Sequence, residues 1–173
     1  MFAFVSKAQI LREHITPQTI GSQIPGYSQD NTINTVTVSY TPPAPLSQPT
    51  SIDGDTTTEG NGVYDFGSIV PVNFTLSNGN FTTTTVGKVW TLRISVPNAV
   101  SIGLTFNQFN LSPSAEMYIY NNAQTVLNKG IKKEHFVNSD TVFISSINGN
   151  AIVVYLIEPD NFGNFQSSIH SFY

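Results

Sequence analysis

The sequence contains no cysteine among its 173 residues. Disulfide bonds and thiolate metal sites are therefore excluded, and the redox compartment stays undetermined. Charged residues make up only 10% of the chain, and the net charge is −4. Because nucleic-acid-binding proteins carry a basic surface, we expect no nucleic-acid partner. No apolar run approaches the roughly 20 residues that a membrane-spanning helix needs, so we expect no transmembrane segment.

The alternation typical of β-strands is the strongest pattern in the chain. Between residues 86 and 106, apolar side chains occupy every second position in two runs, which are Trp90, Leu92, Ile94 and Val96, followed by Val100, Ile102, Leu104 and Phe106. A period of two places each apolar set on one face of a strand. Pro97-Asn98 between the runs is turn chemistry, and it predicts two antiparallel strands joined by a turn.

Turn residues divide much of the remaining chain into further short strands. Ser77-Asn78-Gly79-Asn80 predicts a hairpin turn that follows a strand over residues 70–76, and Asn148-Gly149 predicts a second turn. The apolar run from Ile152 to Ile157 indicates a strand buried on both faces. About eight to ten antiparallel strands without a helix predict an all-β protein of the β-sandwich or jelly-roll type.

The composition of the chain changes near residue 63. Residues 1–62 are polar and contain a proline-rich stretch, which predicts a variable, poorly ordered lead-in and linker. We assign residues 63–173 to the sandwich domain. Residues 1–9 combine a short apolar run with small residues, and they fit the remnant of a secretory leader as well as they fit an ordinary N-terminus.

The strand pattern also predicts a core and a possible ligand surface. On the strand that ends near residue 120, Tyr118 and Tyr120 alternate with Met117 and Ile119, so we expect the two tyrosines to face outwards. There they would form a ligand-stacking surface or be ordinary exposed residues. The predicted core consists of Trp90, Leu92, Ile94, Leu104, Phe106, Phe109, Met117, Ile119, Phe143 and Val154.

Catalytic and metal-binding patterns are missing from the sequence. His14, His135 and His170 do not lie in a recognisable catalytic context, and neither Gly-x-Ser-x-Gly nor Gly-Asp-Ser-Gly-Gly occurs. We therefore expect a protein that is not an enzyme and has no catalytic residues. The acidic cluster between residues 51 and 62 lacks the spacing of an EF-hand, which favours a solvated loop. We expect no metal and no cofactor.

Several segments resemble a known family. Lys88-Val89-Trp90-Thr91-Leu92-Arg93-Ile94 and Val100-Ser101-Ile102-Gly103-Leu104-Thr105-Phe106 are similar to the N-terminal non-catalytic domain of secreted trypsin-like serine peptidases of the Bacteroidetes type. In that family the domain precedes a lysyl-endopeptidase-like catalytic domain. Four further segments fit in the expected order, at residues 66–72, 109–120, 153–159 and 165–173.

This resemblance implies a function for the chain. It would be a secreted, periplasmic or cell-surface β-sandwich that acts as a propeptide or folding aid. Its partner would be a protease catalytic domain, supplied in cis or in trans. The residues leave two alternatives open: a module that binds carbohydrate or another extracellular ligand, and a structural protein that assembles with copies of itself. The resemblance favours the first function because only this function explains the ordered segments.

Overall fold

A computed structural model describes residues 10–29, 32–39, 69–136, 141–158 and 166–171. These residues form ten strands, one short helix and two 3-10 turns, and the all-β class expected from the sequence is confirmed. The strands are β1 (Leu11–His14), β2 (Asn34–Thr37), β3 (Asn80–Thr84), β4 (Gly87–Ser95), β5 (Ser101–Asn110), β6 (Glu116–Asn121), β7 (Val126–Ile131), β8 (Thr141–Asn148), β9 (Ala151–Glu158) and β10 (Gln166–Ser171). The helix is α1 (Ile20–Gln23). No helix among the described residues has the length and apolar content needed to cross a membrane.

The strands form two sheets. Seven of the described strands make one sheet in which β1, β7, β6, β9 and β4 follow one another, and three make a second sheet in the order β10-β5-β8. The outer edge of β4 is shared, because β3 pairs with residues 87–91 and β2 pairs with residues 92–95. The expected antiparallel pairing holds for every described pair except β2 with β4, which is parallel.

The main core lies between the two sheets. Strands β4, β6 and β9 direct alternate side chains towards alternate side chains of β5 and β8, so one apolar cluster joins both layers. Of the predicted core residues, this cluster contains Trp90, Leu92, Ile94, Leu104, Phe106, Phe109, Met117, Ile119 and Val154. Strand β9 is buried at all eight positions, as its apolar run predicts. The finer assignment to a sandwich or jelly roll stays a prediction.

Phe143 is the exception among the predicted core residues, and its assignment was wrong. Its side chain is 53% exposed. Its neighbours on β8, Val142 and Ile144, are buried in the core, so the period of two directs Phe143 to the opposite face. There it lies across from Thr105 of β5 on the outer surface of the three-stranded sheet.

Trp90 explains why the predicted hairpin before β3 does not form. The indole is 3% exposed, and its Nε1–H donates a 2.8 Å hydrogen bond to the carbonyl oxygen of Leu76. A buried tryptophan N–H needs such an acceptor. The acceptor belongs to a 3-10 turn at Leu76–Asn78, which Asn78 closes by accepting the Thr75 N–H at 2.8 Å. Residues 69–75 consequently form only an isolated bridge at Phe74 rather than a strand.

Two further predicted turns connect the layers rather than neighbouring strands. β4 and β5 belong to different sheets, and so do β8 and β9. The turns bring Asn98 and Gly149 to positive φ values of 70° and 124°. They also bind each other, because the Val96 N–H donates to the Asn150 carbonyl at 2.8 Å and the Gly149 N–H donates to the Val100 carbonyl at 2.8 Å.

Part of the predicted lead-in belongs to the folded body, so a boundary at residue 63 does not describe the fold. β1 and β2 join the seven-stranded sheet, and residues 15–27 cover its outer face. Arg12 fastens β1 by donating to Asn128 at 2.9 Å and to the Ser145 carbonyl at 2.8 Å. Ile20 and Ile24 are buried and supply the apolar contact with the sheet, which the polar composition of residues 1–62 did not indicate. Residues 1–9 and 40–68, including the acidic cluster, lie outside the described residues.

Candidate functional site

The outer face of the seven-stranded sheet carries a second apolar cluster. Ile20 of α1 and Ile24, the residue directly after α1, cover its sheet residues, which are Val89, Tyr118, Tyr120, Leu127, Val153, Tyr155 and Ile157. Tyr118 and Tyr120 are 4% and 2% exposed, so the expectation that both form an open surface was wrong. Their alternation with Met117 and Ile119 was right, but residues 15–27 cover the face to which they point.

The covering segment is held close to the sheet at Gly26. The Tyr155 hydroxyl donates a 2.9 Å hydrogen bond to the Gly26 carbonyl. Gly26 has a φ of +68°, and a Cβ at this position would lie 3.0 Å from the Thr84 hydroxyl oxygen. Glycine meets both requirements because it has no Cβ. The next residue, Tyr27, places its ring 6.2 Å from Tyr120 and 6.3 Å from Tyr155, measured between ring centroids.

A cleft opens where the covering segment meets the turn between β6 and β7. Its volume of about 410 Å³ falls within the range of roughly 300–1,000 Å³ that is typical of small-molecule sites. Six of its eight lining residues carry a hydroxyl or an amide group. The lining residues are Tyr27, Ser28, Gln29, Ile33, Arg93, Tyr120, Asn122 and Gln124.

Two buried polar atoms without a partner lie at this cleft. Among the described residues, Arg93 Nε and the Tyr120 hydroxyl are both buried and make no hydrogen bond. Both residues pair with Val153 of β9, one from each side, so they share one row across the sheet. Two strand spacings of about 4.8 Å separate them by roughly 10 Å between Cα atoms. An unsatisfied buried polar group is costly, which makes these two atoms the candidates in this cleft for hydrogen bonds to another molecule.

The electrostatics of the cleft are set by Arg93. It is the one charged side chain in the lining, and no carboxylate of the described residues lies within salt-bridge distance of it. Burial raises the pKa of Tyr120, Tyr27 raises it further, and the positive charge of Arg93 offsets part of this rise. The Tyr120 hydroxyl therefore stays protonated at neutral pH and remains able to donate a hydrogen bond.

The rim opposite the covering segment is fixed in place by Asn121. Its Oδ1 accepts the N–H groups of Thr125 at 2.8 Å and Val126 at 3.1 Å, and its Nδ2 donates to the Asn148 carbonyl at 3.1 Å. The turn holds Gln124 at a φ of 56°, which is unfavourable for a residue with a side chain. In this conformation Gln124 Nε2 donates to the Tyr27 hydroxyl at 2.9 Å, so the two sides of the cleft are joined.

The sequence identified one residue of this site. Tyr120 lines the cleft, whereas Tyr118 lies on the same face without lining it. Sequence reasoning missed Arg93, although an arginine among alternating core residues in a chain with only 7 Lys and Arg was an available signal. Tyr27 and Gln124 were missed because they are distant in sequence and only the fold brings them together.

The histidines do not join this cleft. His14 is exposed on β1, and His135 Nδ1 accepts the Lys132 N–H at 3.2 Å. His170 lies on β10, for which only the backbone is described. Within the described part of the chain, no three His, Asp or Glu side chains are placed to hold a metal ion.

The fold and this cleft together describe an all-β protein with a polar cleft whose lining includes one arginine. No family model, curated protein or solved structure matches the chain.

Proposed function

We propose that the chain is a non-catalytic binding module that accepts a carbohydrate in the cleft lined by Tyr120 and Arg93. The observation that carries the proposal is the hydroxyl of Tyr120, a residue that is 2% exposed, because this hydroxyl makes no hydrogen bond within the described chain. A ligand in the cleft would supply the hydrogen bond that this buried hydroxyl lacks. Such a module would be secreted, periplasmic or attached to the cell surface.

The lining chemistry suits a sugar. Sugar hydroxyl groups both donate and accept hydrogen bonds, and the amides of Gln29, Asn122 and Gln124 do the same. The ring of Tyr27 adds a half-buried aromatic surface, against which the apolar C–H face of a sugar ring packs. Ile33 is the single aliphatic residue of the lining, so an apolar ligand would leave most of the polar groups unsatisfied.

A glycan array followed by calorimetric titration tests this proposal. We expect the full chain to bind at least one oligosaccharide, and Tyr120→Phe to weaken binding by about 2- to 12-fold, which corresponds to roughly 0.5–1.5 kcal/mol for one hydrogen bond. Tyr118→Phe is the matched control, because Tyr118 lies on the same strand and face outside the cleft. Equal loss in both variants, or no oligosaccharide binding by the parent chain, would contradict the proposal.

We propose a second function on a different observation, which is the resemblance to the accessory domain of secreted trypsin-like peptidases. Four of the six segments that carry it contribute to β4, β5, β6 and β9, the central strands of the two sheets, whereas the segment at residues 165–173 contains the edge strand β10. The exposed ring of Phe143 on the outer face of the three-stranded sheet is a contact that a catalytic domain would cover. Size-exclusion chromatography with such a catalytic domain should give a complex that Phe143→Ser weakens. Separate elution of the two proteins would contradict this function.

A further inference from the structure

We infer that Arg93 makes this cleft selective for an acidic sugar, such as a uronic acid residue of a polysaccharide, whose carboxylate it binds. The inference rests on the proposed function, since it names the class of ligand for the same cleft. The inference depends on Arg93, whereas the proposed function depends on Tyr120.

The guanidinium group of Arg93 lacks a counter-charge among the described residues. Arg93 lies on β4 between Val153 of β9 and Thr35 of β2, and its Nε is buried without a hydrogen bond from the described chain. An unpartnered charged donor at a buried atom is unfavourable unless a counter-charge completes it. The planar guanidinium presents its N–H groups as a fork that fits the two oxygens of a carboxylate.

Glu13 and Glu116, two carboxylates of the described chain, are either paired elsewhere or distant from Arg93. Glu13 pairs with Lys129 at 2.6 Å, at the β1 edge of the sheet, four strands from β4. Glu116 shares the face of Tyr120 on β6, but it precedes Tyr120 by four positions, which is about 13 Å along a strand. Nothing in the described cleft therefore competes with a ligand carboxylate for Arg93.

The lining of the cleft suits a sugar acid better than a peptide. A peptide bound through its carboxylate also needs apolar pockets for its side chains, whereas this lining offers hydroxyl and amide groups with one aliphatic residue. The Cα atoms of Tyr120 and Arg93 lie roughly 10 Å apart in the same row of the sheet. A ligand bound at Arg93 therefore extends its ring hydroxyls towards the Tyr120 hydroxyl.

The test compares one ligand with and without its charge. Calorimetric titration of the full chain with a galacturonic acid oligosaccharide should give an affinity about 10- to 100-fold higher than with its methyl ester, the range expected for charge-assisted hydrogen bonds. Arg93→Gln should remove this difference. Lys88→Gln is the matched control, because it deletes the same charge from the opposite face of β4 and should leave the difference intact.

Each outcome decides the inference. Equal affinity for acid and ester in the parent chain overturns acid selectivity while the proposed function stands. Binding of neither ligand, nor of any oligosaccharide on the array, overturns both. Tighter binding of a short peptide with a free C-terminal carboxylate overturns the assignment to a sugar. Thermal melts establish that each variant folds, and if Arg93→Gln does not fold, the comparison of acid and ester on the parent chain decides alone.

Discussion

Deleting the hydroxyl group of Tyr120 and that of Tyr155 should change stability in opposite directions, although the two residues lie on one face of one sheet. Tyr155 donates to the Gly26 carbonyl at 2.9 Å, whereas the Tyr120 hydroxyl has no partner in the described chain. Both rings are buried, at 1% and 2% exposure, so phenylalanine preserves the packing of each. The two substitutions therefore isolate the hydrogen bond.

The expected magnitudes follow from these environments. Burying a hydroxyl without a partner costs about 1–3 kcal/mol, so Tyr120→Phe should raise the free energy of unfolding by about 1 kcal/mol. For a chain of this length that corresponds to a rise in Tm of about 2–4 °C. Tyr155→Phe loses a hydrogen bond of about 0.5–1.5 kcal/mol and leaves the Gly26 carbonyl without its donor, so its Tm should fall by a similar amount.

Thermal and chemical denaturation of both variants, with ligand titration in parallel, provide the assay. Tyr120→Phe should be more stable than the parent and bind ligand more weakly, which is the pattern of a group retained for function rather than folding. If Tyr120→Phe is as destabilising as Tyr155→Phe, its hydroxyl has a partner within the folded chain. The observation that carries the proposed function would then be lost.

Three further predictions concern packing and pH. Gly79→Ala should lower the free energy of unfolding by about 1–3 kcal/mol, because the new Cβ would press on the Trp90 indole and lie 2.6 Å from the Thr91 carbonyl. Gly21→Ala is the control in the same urea titration, because its Cβ would meet only Tyr27 at 3.7 Å. Trp90→Ala should cost about 3–5 kcal/mol, and an unchanged thermal melt would disprove the assignment of the inner face. Burial raises the pKa of Tyr155 to about 12 from 10.0, and the unfolded chain therefore releases this proton first. The contribution of Tyr155 to stability should be complete below about pH 10 and fall by up to about 1.4 kcal/mol per pH unit towards pH 12. Denaturation at increasing pH measures this loss, and the Tyr155→Phe variant should not show it.

The strands of the two layers were largely predictable from sequence. Alternation on β4 and β5 located the inner face, and the unbroken apolar run of β9 identified a central strand. These patterns are local, because every second side chain of a strand must meet the same environment. The same alternation accounts for the exposed Phe143, because its neighbours Val142 and Ile144 both face the core.

Which strands become neighbours was not predictable in the same way. The residues around Asn98 and Gly149 predict a reversal of the chain, and both positions have the positive φ that is found in such turns. Whether the next strand stays in the sheet or crosses to the other layer depends on distant partners. Here the two turns bind each other through Val96 and Asn150, which no local pattern reveals.

The candidate site depends on distant partners still more strongly. Arg93 and Tyr120 come from separate strands and share a row only because both flank Val153. The sheet gives these two side chains a rigid base, while Tyr27 and Gln124 reach them from a crossing segment and a strained turn that one hydrogen bond joins. A sequence shows the polar residues of such a site singly. What marks the site is that the folded chain brings two of them to one cleft and leaves Arg93 Nε and the Tyr120 hydroxyl without partners among the described residues, at a cost to stability that a bound ligand would offset.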